Sequence, residues 1–177
     1  MSKTVVNIII TFVVILLLQV TIFSRICLFD YAVPFIFIYA LMRLPMSLAP
    51  SLVMIIGFFS GMFVDIFADT PGMNALASTV LCALRRPVMK LFSNRDDDID
   101  AAMPSAKSNG AFTYSKYSLT LTIAYCLVIF FVEASSFAQI HTTLLRVFFS
   151  TLLSFALIMG IDSITSNRNN DKKTNTL

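Results

Sequence analysis

The residues of greatest chemical interest lie in the segment GFFSGMFVDIFADTPGMNALAST, which covers positions 57–79. Two carboxyl groups, those of Asp65 and Asp69, interrupt a run of mostly apolar side chains there. A carboxylate in apolar surroundings has to pair, accept hydrogen bonds or become protonated, because its charge is poorly solvated. We therefore expect Asp65, which has large apolar residues on both sides, to have a specific partner elsewhere in the protein.

The other reactive residue types predict neither a catalytic nor a metal site. His141 is the only histidine, and the three cysteines are widely spaced without a CxxC pair, so a Cys/His zinc site is not indicated. The acidic run at 96–100 lacks the Asx and Gly spacing of a calcium loop. No P-loop, Gly-rich dinucleotide turn or HExxH motif occurs. The sequence thus predicts a protein that is not an enzyme and that binds no cofactor or metal.

The composition is typical of a membrane protein. Hydrophobic residues make up 57% of the 177-residue chain and charged residues 13%, whereas soluble domains carry about 45–50% apolar and about 25% charged residues. A net charge of +3 is too small to indicate nucleic-acid binding. The apolar run that follows Lys3 continues to Phe23 without a cleavage pattern, which predicts a retained first span rather than a signal peptide.

Six apolar stretches are long enough to cross a bilayer as helices of about 20 residues each. The predicted spans are Thr4–Phe23, Tyr31–Leu48, Pro50–Phe67, Met73–Phe92, Tyr117–Ala134 and Thr142–Ile164. They define an all-α, polytopic membrane domain at 1–166 with six transmembrane helices and a polar loop at 93–116, followed by a polar tail at 167–177. The second and fourth stretches are the weakest, the second because Pro34 and Pro45 would bend or end it, and the alternative is that one stretch is re-entrant.

The distribution of cations orients these spans. With the N-terminus in the cytoplasm, all of the 13 lysines and arginines except Arg25 and Arg146 lie on the cytoplasmic side. The positive-inside rule describes such a bias, and the opposite orientation would invert it. The sequence therefore predicts that both termini are cytoplasmic. The acidic loop at 93–116 would be a solvated connection or, alternatively, a docking site for a cytoplasmic partner.

Small residues on the third span predict close helix packing. Gly57 and Gly61 are four positions apart, and Asp65 and Asp69 continue the same spacing, so all four lie along one helical face. Glycines at this spacing let two helix backbones approach closely, where van der Waals contact stabilises their association in lipid. This face should pack against another helix, either within the protein or from a partner.

The same segment resembles the rod shape-determining MreD family of bacterial inner-membrane proteins. The resemblance rests on Gly57, Gly61 and Asp65 at intervals of four, on a short turn that contains Gly72 and precedes a new apolar helix, and on the predicted six-span layout. It implies a multi-pass protein of the bacterial inner membrane, with a fold similar to the substrate-binding subunits of energy-coupling-factor transporters. The acidic loop at 93–116 is longer than the family pattern leads us to expect.

The function that the resemblance implies is a non-enzymatic scaffold of the cell-elongation machinery, which maintains rod shape and supports peptidoglycan synthesis. Its direct partner would be MreC. MreB and the synthase formed by RodA and its penicillin-binding protein would be indirect or transient partners, and membrane lipid would surround the helices. Gly57, Gly61, Asp65 and Gly72 would then form a helix-packing or partner interface. No nucleic-acid partner is expected.

Two other functions are compatible with a small helical membrane protein. A vitamin-binding subunit of an energy-coupling-factor type transporter would share the fold, but it needs a pocket with converging polar and aromatic groups. The chain contains no tryptophan, and its predicted outer loops are short, which leaves little material for a lid over a ligand. An intramembrane enzyme would need a catalytic constellation that the sequence does not offer.

An ion pair within the membrane is predicted for Asp65. Arg146, one turn into the sixth span, should lie at similar depth, although Glu133 near the end of the fifth span competes for it. The alternative is that Asp65 caps the fourth helix, near Asn74, or faces interfacial water. In each case the expected role is structural rather than catalytic.

Overall fold

The computed structural model describes residues 3–21, 34–92, 110–133 and 140–174, and these residues form six helices without a strand. In chain order the helices are α1 (Lys3–Thr21), α2 (Phe37–Met42), α3 (Pro50–Ala68), α4 (Met73–Phe92), α5 (Ala111–Glu133) and α6 (Ile140–Thr174). The all-α fold class predicted from the sequence is confirmed for these residues.

Three of the helices are long and apolar enough to cross a membrane. The qualifying segments are Pro50–Ala68 in α3, Phe112–Glu133 in α5 and Leu144–Ser163 in α6. At 1.5 Å of rise per residue, about 20 helical residues match the hydrocarbon core of a bilayer. These lengths indicate that the protein is associated with a membrane. Helix α4 has 20 residues but carries three cations in its second half, and it does not qualify by composition.

The segment predicted as the second span is not a continuous helix. Within Tyr31–Leu48, the described residues form an irregular stretch at 34–36 and then α2, whose six residues rise only about 9 Å. Pro34 precedes this helix and Pro45 follows it. A proline disfavours the helical conformation of the residue before it. All residues from 34 to 42 are nevertheless buried. The second segment is therefore an interrupted helix enclosed by the others, in agreement with the expectation that Pro34 and Pro45 would bend or end it.

Two boundaries of the predicted organisation also differ from the structure. Helix α5 begins at Ala111, so the last residues of the expected loop at 93–116 are helical, whereas 93–109 lie outside the described residues. Helix α6 continues through most of the expected tail at 167–177. The sequence has neither glycine nor proline beyond Gly160, so the change from apolar to polar composition does not end the helix.

Helix α4 occupies a central place in the packing. It contacts α3 across a short turn, α5 on another side, and the enclosed helix α2. Helix α5 packs in turn against α6, while α1 contacts α2 and α3. Tyrosines of α2 and α5 are among the largest fully buried side chains, namely Tyr39, Tyr114, Tyr117 and Tyr125. Large apolar side chains such as Phe59 and Phe148 are exposed on α3 and α6, as expected of helices that face lipid.

Candidate functional site

Two glycines hold α3 and α4 at close range. A β-carbon placed on Gly61 would lie 2.6 Å from the Cα atom of Ala75, and nearer still to a backbone carbonyl oxygen of α4. One placed on Gly57 would lie 2.5 Å from Sγ of Cys82 and 3.0 Å from the carbonyl oxygen of Ser78. Because a side chain at either position would collide with α4, glycine is what permits this helix separation. The predicted close packing therefore occurs within the protein, and the two glycines are not free to contact a partner.

A short turn at 69–72 joins the two helices. Helix α3 ends with Asp69 in the left-handed region at φ 52°, and Gly72 has φ 79°, a value that favours glycine. Asp69 is exposed and lies beyond the last helical residue, so the prediction that it continues the packed face is wrong. Gly72 has nothing within 4 Å of the position that a β-carbon would take. Its role is therefore conformational, in the turn, and not one of close packing.

Asp65 caps the start of α4 from the neighbouring helix. Its Oδ1 atom accepts hydrogen bonds from the backbone N–H and the side-chain amide of Asn74, both at 2.9 Å, and from the hydroxyl of Thr70 at 2.8 Å. Its Oδ2 atom accepts from the backbone N–H of Ala75 at 2.9 Å. The first N–H groups of a helix have no partner within it, and a carboxylate near them interacts favourably with the helix dipole. Asp65 is 5% exposed, so its carboxyl group lies inside the hairpin that α3, the turn at 69–72 and α4 form.

Asn74 connects this cap to the rest of the core. Its Nδ2 atom also donates to Oγ1 of Thr70 at 3.0 Å, and its Oδ1 atom accepts from the hydroxyl of Tyr125 on α5 at 2.6 Å. The buried ring of Tyr125 meets Phe35 and Phe37 edge-on, at centroid distances of 5.1 and 5.8 Å. Hydrogen bonds thus link α3, α4 and α5, and ring contacts extend the network to the interrupted second segment.

The predicted ion pair between Asp65 and Arg146 is wrong. The guanidinium of Arg146 lies 3.2 Å from the carboxylate of Glu133, the competitor recognised in the sequence. Both side chains are nearly half exposed, at 41% and 46%. Exposed pairs of this kind contribute only about 0–1 kcal/mol. Asp65 instead accepts hydrogen bonds from the N–H groups at the start of α4, which agrees with the alternative prediction that it caps this helix.

Two polar side chains that the sequence analysis did not single out, Gln19 and Ser154, form hydrogen bonds with the irregular backbone that precedes α2. The side-chain amide of Gln19 on α1 donates to the carbonyl oxygen of Pro34 at 3.1 Å, and its Oε1 atom accepts from the N–H of Ile36 at 2.7 Å. Oγ of Ser154 on α6 accepts from the N–H of Phe35 at 2.9 Å. Non-helical backbone at membrane depth is tolerated where the protein supplies such partners. In the sequence, only Gln19 hinted at these contacts, because a glutamine is unusual within the apolar run of α1. Ser154 gave no such hint, since serines are common in membrane helices.

We expect Gln19→Leu to destabilise the protein by about 1–3 kcal/mol, because it leaves the N–H of Ile36 and the carbonyl oxygen of Pro34 buried without this partner. Val14→Leu is a matched control on the same helix, since Val14 is 48% exposed. The measurement is the unfolding temperature of the detergent-solubilised full chain. Equal temperatures for the two variants would contradict the role assigned to Gln19.

Arginines of α4 bind the other end of the second segment. Arg85, which is 2% exposed, donates to the carbonyl oxygen of Met42 at 3.2 Å and also to that of Leu44. Arg86 donates to the carbonyl oxygen of Met46 at 2.6 Å. The segment begins near the Asp65 cap, because its Phe35 and Phe37 contact the ring of Tyr125, and it ends at these arginines. It therefore passes through the interior of the bundle from the capped end, where Asp65 binds the start of α4, to the basic end, where Arg85 and Arg86 lie.

A third arginine joins this basic end. Nη1 of Arg43 donates to the hydroxyl of Tyr39 at 2.7 Å and lies 3.8 Å from the carboxylate of Asp162 on α6. Tyr39 also donates to Asp162 at 3.3 Å. Because Asp162 is 2% exposed, this contact ties α6 to the second segment inside the bundle.

The class of protein that these features define is an all-helical, membrane-associated bundle closed by internal polar contacts. Among its described residues, no three His, Cys, Asp or Glu side chains come together in a way that could hold a metal ion. Comparison with protein-family models, with curated proteins and with solved structures finds no match for the chain.

Proposed function

We propose that this chain is a non-enzymatic scaffold of the bacterial cell-elongation machinery, which maintains rod shape and supports peptidoglycan synthesis by binding MreC. One observation carries the proposal: the residues on which the resemblance to the MreD family rests act as a single structural unit. Gly57 and Gly61 set the separation of α3 and α4, and Asp65 caps the start of α4. A pattern that serves to hold helices in place suits a scaffold better than an enzyme.

The surface for MreC lies outside the glycine face in this proposal, because that face is covered by α4. Helix α3 exposes large apolar side chains on its other sides, among them Phe58, Phe59 and Ile66. A transmembrane helix of MreC would find apolar contacts there, in competition with lipid. MreB and the synthase formed by RodA and its penicillin-binding protein would be reached indirectly or transiently.

We infer a multi-pass arrangement in the bacterial inner membrane, with both termini in the cytoplasm. The second segment supports a crossing at this position even though its helix is interrupted, since its contacts extend from the capped end of the hairpin to the basic end. Arg43, Arg85 and Arg86 gather at that basic end. A cluster of cations at one end agrees with the positive-inside rule if this end faces the cytoplasm.

Reporter fusions check this topology. A reporter joined after Gly110 or at Leu177 should read cytoplasmic, because both positions follow an even number of crossings. A reporter near Gln139 should read external. A cytoplasmic signal from the Gln139 fusion would contradict the six-crossing arrangement.

Affinity purification of the tagged full chain from detergent-solubilised inner membranes tests the function. We expect MreC to co-purify with the wild-type chain and with Gly160→Leu, an exposed helical position with nothing within 4 Å of an added β-carbon. Gly61→Leu, which opens the hairpin, should lose MreC. Purification of the wild-type chain without MreC would overturn the proposal.

The alternative, a vitamin-binding subunit of an energy-coupling-factor type transporter, predicts a different result from the same purification. A retained vitamin or a coupling ATPase would replace MreC. Such a subunit needs polar groups that converge on a ligand. The buried polar side chains at the capped end, Asp65, Asn74 and Gln19, bond instead to the protein itself, which favours the scaffold.

A further inference from the structure

The end of α4 and the start of α5 lie at the same height, at the basic end of the bundle. At the capped end, the hydroxyl of Tyr125 on α5 donates to Asn74 near the start of α4. At the basic end, Arg85 of α4 and Tyr117 of α5 both donate to the carbonyl oxygen of Met42, at 3.2 and 3.5 Å. The two helices are therefore antiparallel, with Arg85 and Tyr117 at one level.

This register brings two lysines and two large apolar side chains to one level. Position 90 is five residues beyond Arg85 and position 112 is five residues before Tyr117, so both lie about 7.5 Å further toward the basic end. The side chains of Leu91 and Phe112 are 75% and 74% exposed, more than the other exposed large apolar side chains of the described residues. We call the four exposed residues Lys90, Leu91, Phe112 and Lys116 the lysine rim.

The side chain of Lys116 is directed toward the basic end. Lys116 lies within the apolar segment Phe112–Glu133, and its Nζ atom is 4.2 Å from the centroid of the Phe112 ring, one turn nearer the start of that segment. A lysine inside a membrane helix extends its ammonium group toward the headgroups in this way, while its methylene groups stay in hydrocarbon. The level of Phe112 therefore indicates the edge of the hydrocarbon core.

We propose that the lysine rim binds anionic phospholipids, with its two ammonium groups at the lipid phosphates and with Leu91 and Phe112 in the adjoining acyl region. Both lysines are exposed, and the ion pairs between described side chains involve neither of them. Cations close to a membrane surface attract anionic headgroups. A lipid fits better than a soluble anion, because only a lipid also offers hydrocarbon to the apolar side chains beside the lysines.

Native mass spectrometry of the full chain tests the rim, with an equimolar mixture of phosphatidylglycerol and phosphatidylcholine that share the same acyl chains. The wild-type protein should retain phosphatidylglycerol preferentially. Lys90→Gln and Lys116→Gln should each lower the ratio of retained phosphatidylglycerol to phosphatidylcholine about fivefold, the effect expected of one cation near anionic lipid. Lys90→Arg and Lys116→Arg keep the charge and should keep the ratio, which separates a loss of charge from a loss of the side chain's packing.

Arg146→Gln is the matched control. It removes an exposed cation beside Glu133, the last residue of α5, and therefore at the opposite end of the bundle from the lysine rim. It should change the ratio far less than either lysine variant. An equal loss in all three glutamine variants would show a general effect of net charge and would overturn the proposal.

Two further results would assign the lysines to another source of negative charge. Displacement of the lipid by millimolar inorganic phosphate would show a site for soluble phosphate and overturn the lipid assignment. A wild-type protein with no preference between the two lipids would also overturn it. If a preference then appeared in the combined variant Asp96→Asn, Asp97→Asn, Asp98→Asn and Asp100→Asn, the acidic run would be the partner of the lysines. None of these results depends on whether MreC binds.

Discussion

Substitution of Gly61 by leucine is expected to prevent closure of the α3–α4 hairpin, at a loss of about 3 kcal/mol of stability or more. The new β-carbon would meet backbone atoms of Asn74 and Ala75, which cannot move aside by changing rotamer. The helices would have to separate, and separation would draw Asp65 away from the N–H groups that it caps. The amount of full-length chain in the membrane fraction and its unfolding temperature in detergent should both fall.

Two other glycine substitutions make this result specific. Gly160→Leu adds the same side chain to another helix, α6, at an exposed position with nothing within 4 Å, and it should have little effect. Gly57→Ala should have an intermediate effect, because the nearest atom is Sγ of Cys82, at 2.5 Å, and that side chain can rotate. Equal protein levels and unfolding temperatures for Gly61→Leu and Gly160→Leu would contradict the close approach of α3 and α4.

The hairpin of α3 and α4 is the part of the fold that the sequence predicts best. Apolar length sets the extent of a membrane helix, and Pro50 together with the turn around Gly72 delimits these two helices. The predicted limits, Pro50–Phe67 and Met73–Phe92, differ from the observed ones by one residue at most. The glycine spacing also identifies the packed face of α3. It does not identify the helix packed there, because spacing within one helix carries no information about its neighbour.

The interrupted second segment is much harder to predict. Its apolar composition is that of a span, and only Pro34 and Pro45 indicate that the helix is short. Its irregular backbone forms hydrogen bonds with the side chains of Gln19 and Ser154. Ser154 is 119 positions from Phe35, whose N–H donates to its hydroxyl oxygen. Contacts between positions so far apart depend on the packing of the whole bundle, and no local pattern in the sequence specifies them.

The error over the partner of Asp65 has a related physical cause. Similar depth in the bilayer favours Arg146, whereas the short turn after α3 brings the unpaired N–H groups of α4 within reach of a residue nine positions earlier. A partner fixed by a short turn requires little additional ordering of the chain, so it competes well with a charge on a distant helix. Local connectivity outweighs electrostatic complementarity here.

Replacement of Asp65 by alanine should destabilise the protein by at least about 2 kcal/mol, because each buried N–H group left without an acceptor costs about 1–3 kcal/mol. The backbone N–H groups of Asn74 and Ala75 both lose their acceptor. The side-chain amide of Asn74 also loses one, which loosens the group that binds the hydroxyl of Tyr125. The protein level in the membrane fraction and the unfolding temperature in detergent measure the effect.

Substitutions that separate helix capping from ion pairing complete the test. Asp65→Asn keeps one acceptor oxygen but turns an NH2 group toward a backbone N–H of α4, so its stability should fall between wild type and Asp65→Ala. Arg146→Ala removes only an exposed pair with Glu133 and should cost about 0–1 kcal/mol. The double exchange Asp65→Arg with Arg146→Asp should rescue nothing, because a guanidinium cannot accept the hydrogen bonds of α4. An ion pair predicts the opposite on both counts: Arg146→Ala would be as damaging as Asp65→Ala, and the double exchange would restore stability. A carboxylate costs about 2.5–3.5 kcal/mol at the centre of a membrane helix on insertion scales. Asp65 lies in the last turn of α3, where the cost is smaller, and the hydrogen bonds from the start of α4 offset it.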